Sequence, residues 1–90
     1  MGTFLVGYDL DSPGQDYTDL IEALKSFPNW WHCLDSTWLI QSTGTAASVR
    51  DTLLALLDSN DKLLVIQVND KPAAWAGFTD ECSNWLKRNL

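Results

Sequence analysis

An α+β fold on a single antiparallel sheet is what this sequence predicts, and three observations predict it. Short apolar runs of strand length open the chain and recur after Asn29, Ser36 and Lys62. Two stretches between them place their apolar residues at helical spacing, giving one buried stripe each. Punctuation falls between these segments, at Ser12-Pro13-Gly14, Pro28, Asp35-Ser36 and Ser59-Asn60-Asp61.

The elements follow in order. Phe4-Leu5-Val6-Gly7-Tyr8-Asp9 reads as a buried strand ending in acid, and Ser12-Pro13-Gly14 turns the chain. Asp16 suits the N-cap of a helix whose Tyr17, Leu20, Ile21 and Leu24 form the inner stripe, with Asp19, Glu22 and Lys25 outside. Pro28 stops it. Trp30–Leu34 and Thr37–Ser42 read as strands of a tight hairpin turning at Asp35-Ser36. Thr45 caps a second helix with Val49, Leu53, Leu56 and Leu57 inward. Leu63–Val68 is so continuously apolar that a central, covered strand is expected. Right-handed crossovers on one sheet turn this order into a ferredoxin-like βαββαβ sandwich. A C-terminal extension follows, ending in a short helix with Cys82, Trp85 and Leu86 on one side.

The whole reads as a single domain, residues 1–90, with a core over 3–69 and the extension over 70–90. Both helices are expected on one sheet face. The other face needs a cover in a chain that is 46% hydrophobic and holds five Trp. Ala73-Ala74-Trp75-Ala76-Gly77-Phe78 with its helix is one cover and a second copy of the chain is the other; both are expected to contribute.

Charge narrows the function classes. Twelve acidic residues against six basic ones give a net charge of −6. Lys25, Arg50, Lys62 and Lys71 are scattered, and only Lys87 and Arg88 adjoin. Tight general binding to nucleic acid depends on gathered cations, so it is not expected. A metal ion or a protein with a basic surface would suit the acidity better. No apolar run approaches the ~20 residues of a membrane span, and no leader pattern is visible. Cys33 and Cys82 lack metal-ligand spacing and read as two reduced thiols, which points to a cytoplasmic protein without membrane contact.

Few residues carry candidate chemistry. Asp9 and Asp11 lie one residue apart at a strand end, so both face the same side if the strand continues. They would suit Mg²⁺ or Mn²⁺, which polarises a phosphodiester and activates water. Against this, Asp before Ser-Pro-Gly commonly serves a turn, a reading that applies most to Asp11. His32, the sole histidine, sits in the expected hairpin without a triad partner nearby, and nothing local would activate Cys33. Trp30, Trp31 and Trp38 offer a stacking platform for a planar ligand, set against a role in core or interface packing. Asp35, Ser36 and Thr37 read as turn formers close to the strand-end acids.

Tyr8-Asp9-Leu10-Asp11 resembles the opening of Cas2 proteins, where a hydrophobic-Tyr-Asp-hydrophobic pattern closes the first strand. Cys33-Leu34-Asp35-Ser36-Thr37-Trp38 is similar to their second diagnostic stretch, and Asn60-Asp61-Lys62-Leu63-Leu64-Val65 falls in the matching order. The resemblance spans about residues 3–69. With the tail Ala73–Phe78 included, the chain looks closest to small bacterial Cas2-like proteins of the SinR-like kind. It implies a ferredoxin-like homodimer in which the aspartate closing the first strand meets its counterpart near the dimer axis and serves a metal-dependent nuclease. That role transfers to Asp9 alone. The basic surface with which Cas2 holds DNA is missing here, as is the arginine commonly following the acid.

Two functional readings result. The first is a non-catalytic, homodimeric binding module engaging a protein or small ligand, with Trp31, Asp35, Ser36 and Trp38 as candidate contacts. The second is a metal-dependent phosphodiesterase or endonuclease, with Asp9 catalytic and Asp9 and Asp11 holding Mg²⁺ or Mn²⁺. Acidity weighs toward the first.

Overall fold

The computed structural model describes residues 1–11 and 16–90. The turn expected at Ser12-Pro13-Gly14 lies outside the described residues. Element order is β1 (Gly2–Asp9), α1 (Thr18–Lys25), β2 (Asn29–Trp31), β3 (Thr37–Ser42), α2 (Ala46–Leu54), β4 (Lys62–Gln67) and α3 (Asp80–Asn89). The four strands form one antiparallel sheet in the order β2-β3-β1-β4. Each of the first two helices therefore joins strands that run the same way with one opposed strand between them: β3 lies between β1 and β2, and β1 between β3 and β4.

Strand alternation divides the sheet into two unlike faces. Phe4 and Val6 of β1 and Trp38 and Ile40 of β3 meet Leu20 and Leu24 of α1 and Val49 and Leu53 of α2 in the main core. All eight are essentially without solvent contact. The opposite face shows Leu5, Trp31 and Leu39, and here the tail packs. Leu86 of α3 is buried against Trp31 and Leu39, with Val68, Trp75, Phe78, Cys82 and Trp85 around them. The expected cover by the extension is present, making helices, sheet and tail three layers.

Local chemistry explains most element boundaries. At α2, Thr45 accepts the Ser48 N–H while the Ser48 hydroxyl accepts the Thr45 N–H, a reciprocal capping box. Thr79 accepts the Cys82 N–H at the start of α3, which has Asp80 and Glu81 in its first turn and Lys87 and Arg88 in its last, all favourable to the helix dipole. At α1 the capping residue is Tyr17, without a side-chain bond, rather than Asp16. Asp16 still serves the helix start, because its carboxylate accepts the Thr18 N–H at 2.9 Å.

Four expectations need correction. Cys33 and Cys82 are joined as a disulfide, not free thiols. Nothing in their spacing announces it: they lie 49 residues apart, and only the folding of α3 onto the sheet brings them together. The first hairpin strand ends at Trp31, so His32 and Cys33 belong to a five-residue connection rather than to a strand. The bridge and the packing of His32 draw these residues off the ladder. The second helix stops at Leu54, and Leu56 and Leu57 follow it in turns that bond to Leu53 and Leu54 carbonyls three residues back. Finally, β4 is an edge strand, not a central one. Its apolar character is spent on two sides: Leu63 and Val65 pack under the helices, while Leu64 and Ile66 remain 56% and 45% exposed.

Candidate functional site

Register assembles the candidate residues at one end of the sheet. Asp9 closes β1 and lies opposite Lys62 of β4. The Tyr8 N–H donates to the Ser36 carbonyl at 3.1 Å, which seats the Asp35-Ser36 turn beside the end of β1. Asp11 follows on, and its N–H donates to the Asp61 carboxylate at 2.9 Å. Asp9, Asp11, Asp35 and Ser36 are thus brought to a common rim, and the three carboxylates are exposed there. The strand stops at Asp9, so Asp11 lies beyond it and the alternation that would set both on one side does not extend to Asp11. Among the described residues, no group of three or more His, Cys, Asp or Glu side chains is arranged to hold a metal ion.

Asp61 organises this rim, a role beyond the punctuation at Ser59-Asn60-Asp61 and the resemblance of Asn60–Val65. One carboxylate oxygen accepts the Asp11 N–H and the Tyr17 hydroxyl at 2.9 and 2.8 Å, and the other accepts the Asp58 N–H at 2.8 Å. Partial burial pushes its pKa up, but the N–H groups of Asp11 and Asp58 and the Tyr17 hydroxyl together outweigh burial and hold it below the ordinary 3.8. Asp61 therefore ties the β1–α1 connection to the approach to β4.

The tryptophans separate. Trp38 lies wholly within the main core, its indole N–H donating to the Tyr8 hydroxyl at 3.0 Å. The His32 ring stacks on it, centroids 3.8 Å apart and planes 10° from parallel. Trp30 tilts against it at 5.5 Å, with the Lys25 ammonium 5.5 Å from the Trp30 ring centre. Trp31 points to the opposite face, where its N–H donates to the Cys82 carbonyl and its ring meets Phe78 edge-on at 5.1 Å. Trp31 and Trp38 therefore share no platform, and Trp38 is filled on both sides by the protein itself. His32 is engaged too, its Nε2 lying 3.0 Å from the Asp35 carbonyl oxygen.

The larger feature is on the tail side. Between the sheet and residues 71–78 lies an apolar hollow of about 450 Å³, lined among others by Leu5, Trp31, Leu39, Trp75, Phe78 and Leu86. Of the candidate contacts Trp31, Asp35, Ser36 and Trp38, Trp31 alone is among the described lining residues, and Thr37 beside that group joins it. Aromatic and alanine content in the tail signalled a cover, but a hollow beneath that cover has no local sequence signal. No family model matches the chain, and no solved structure matches it.

Proposed function

We propose that this protein is a non-catalytic, homodimeric binding module of Cas2-like, ferredoxin-like architecture that engages a protein or a small ligand. The arrangement of β3 between β1 and β2, and of β1 between β3 and β4, supports the ferredoxin-like reading. The observation that carries the binding role is the unequal cover of the tail-side face. The tail seals Leu39 and Trp31 but leaves Leu64 and Ile66 of β4 in solvent beside Gly7, an apolar strip next to a pre-formed hollow. Neighbouring exposed apolar side chains of this kind suit a contact surface. A second copy laid on the strip completes the cover that the tail begins.

The setting matters to the tail. In a reducing cytoplasm Cys33 and Cys82 would be thiols, and α3 would be held by apolar contact and by the hydrogen bonds from Trp31 to the Cys82 carbonyl and from Trp85 to Asn29; in an oxidising compartment the bridge adds to these. No helix among the described residues is long and apolar enough to cross a membrane.

Sedimentation at micromolar concentration tests the reading. The wild-type chain is expected as a two-copy particle, and Leu64→Lys with Ile66→Lys as a folded single chain. Both positions are exposed, so each change should alter monomer stability by no more than about 0.5 kcal/mol. A compact wild-type monomer would remove the homodimer from the proposal.

A second reading, metal-dependent phosphodiester cleavage at Asp9, is favoured by one observation: Asp9 is exposed at the end of β1, next to the same uncovered strand β4. A dimer axis at this end would join two Asp9 carboxylates, and Mg²⁺ commonly binds through one or two such groups and waters.

A further inference from the structure

The tail-side hollow has the size, lining and rigidity of a ligand site. Its volume of about 450 Å³ falls in the range of small-molecule pockets, which bury an apolar body and orient it with few polar groups. The indole N–H groups in its wall are already used. That of Trp31 donates to the Cys82 carbonyl and that of Trp75 to the Ser83 hydroxyl, so neither awaits a ligand acceptor. The Cys33–Cys82 bridge and these two bonds fix α3 and the preceding segment over the sheet. A guest therefore finds the Trp31, Trp75 and α3 walls already in place, which lowers the entropic cost of binding.

Charge selects the guest. The chain has twelve acidic residues and six basic ones, yet among the described residues the only ionisable side chain lining the hollow is Lys71. Apart from it and the two engaged indoles, Thr37 is the one polar side chain among the described lining residues. An apolar body with one negative group matches this distribution. Leu64 and Ile66 are not part of the lining, so a second copy covering β4 and a guest in the hollow occupy different surfaces.

We propose that the hollow binds a small amphipathic anion, a medium-chain carboxylate whose alkyl body lies against Trp31, Leu39, Phe78 and Leu86 and whose head group meets Lys71. This rests on the binding-module reading and adds the ligand class to it. The test titrates the full chain with decanoate and with decanol, following tryptophan emission and heat. Decanoate is expected to saturate, and decanol to bind more weakly. Lys71→Ala should weaken decanoate roughly five-fold, the scale of one exposed ion pair, without changing decanol. Ala74→Phe, at an exposed position in the wall, should block both while leaving the melting curve in place. Equal binding of decanol and decanoate, or an unaltered Lys71→Ala titration, overturns the anion. Absence of saturation by both probes overturns the site. The binding-module reading is scored separately by sedimentation without ligand, so a two-copy particle that ignores decanoate removes only the ligand class.

Discussion

At the residue scale, Asp61 shows how a polar side chain can fix a rim that apolar packing alone leaves loose. Three donors from two connections, Asp11 and Tyr17 between β1 and α1 and Asp58 between α2 and β4, converge on its carboxylate, and each bond is to the ionised form. Its folded pKa is therefore below the unfolded one. A depressed carboxylate contributes stability that is present above the unfolded value and disappears as pH falls through the folded value. Asp16, lowered by the side-chain and backbone bonds from Thr18, adds to the same trend. Stability should accordingly decline as pH drops below about 4, the range where free Asp protonates. Urea midpoints from pH 7 to pH 3 check this, and Asp61→Asn should lower the midpoint at pH 7 and flatten the acid decline. An unchanged slope would show that Asp61 is not its source. This role was illegible from sequence because two of the partners, Tyr17 and Asp11, lie 44 and 50 residues away. By contrast, the Thr45 cap was legible, since its partner Ser48 is within one turn.

At the element scale, the clearest readings came from segments whose period and punctuation agree. The stripe of α1 and the alternation of β1 describe the main core closely, because a single burial direction dictates each pattern. The hairpin and β4 were misread for opposite reasons. His32 and Cys33 look like strand residues but obey a long-range bridge, while β4 is apolar on both sides although it lies at an edge. The tail helix depends most on contacts outside itself, and the bridge closes a loop across 49 residues. Chain-entropy arguments put such a link at about 4 kcal/mol, so Cys33→Ser with Cys82→Ser should cost about 2–4 kcal/mol. The loss should be uneven. Hydrogen exchange is expected to quicken first in α3 and residues 71–78, with β1 and β3 still protected by the helix-side core. Uniform loss of protection would show instead that the tail and the main core unfold together.

At the scale of the whole molecule, the two functional readings differ in what they ask of the acidic rim. Pairing two chains of net charge −6 brings −12 into one particle, twice the charge of one chain. Asp9, Asp11 and Asp35 lie exposed at one end of the sheet, and Asp9 lies opposite Lys62 of the edge strand β4. If this rim only repels, added monovalent salt should strengthen self-association by screening it, and Asp9→Ala should do the same at low salt. If the rim is a metal site completed by the second copy, a divalent ion should do what monovalent salt cannot. Melting curves in millimolar Mn²⁺, each matched to a monovalent control of equal ionic strength, separate these cases. The binding-module reading expects no extra stabilisation by Mn²⁺, in the wild-type chain or in Asp9→Ala. An Mn²⁺-specific rise in melting temperature that vanishes in Asp9→Ala would overturn that expectation and establish the metal site. It would leave the apolar hollow untouched, since no carboxylate side chain lines it among the described residues.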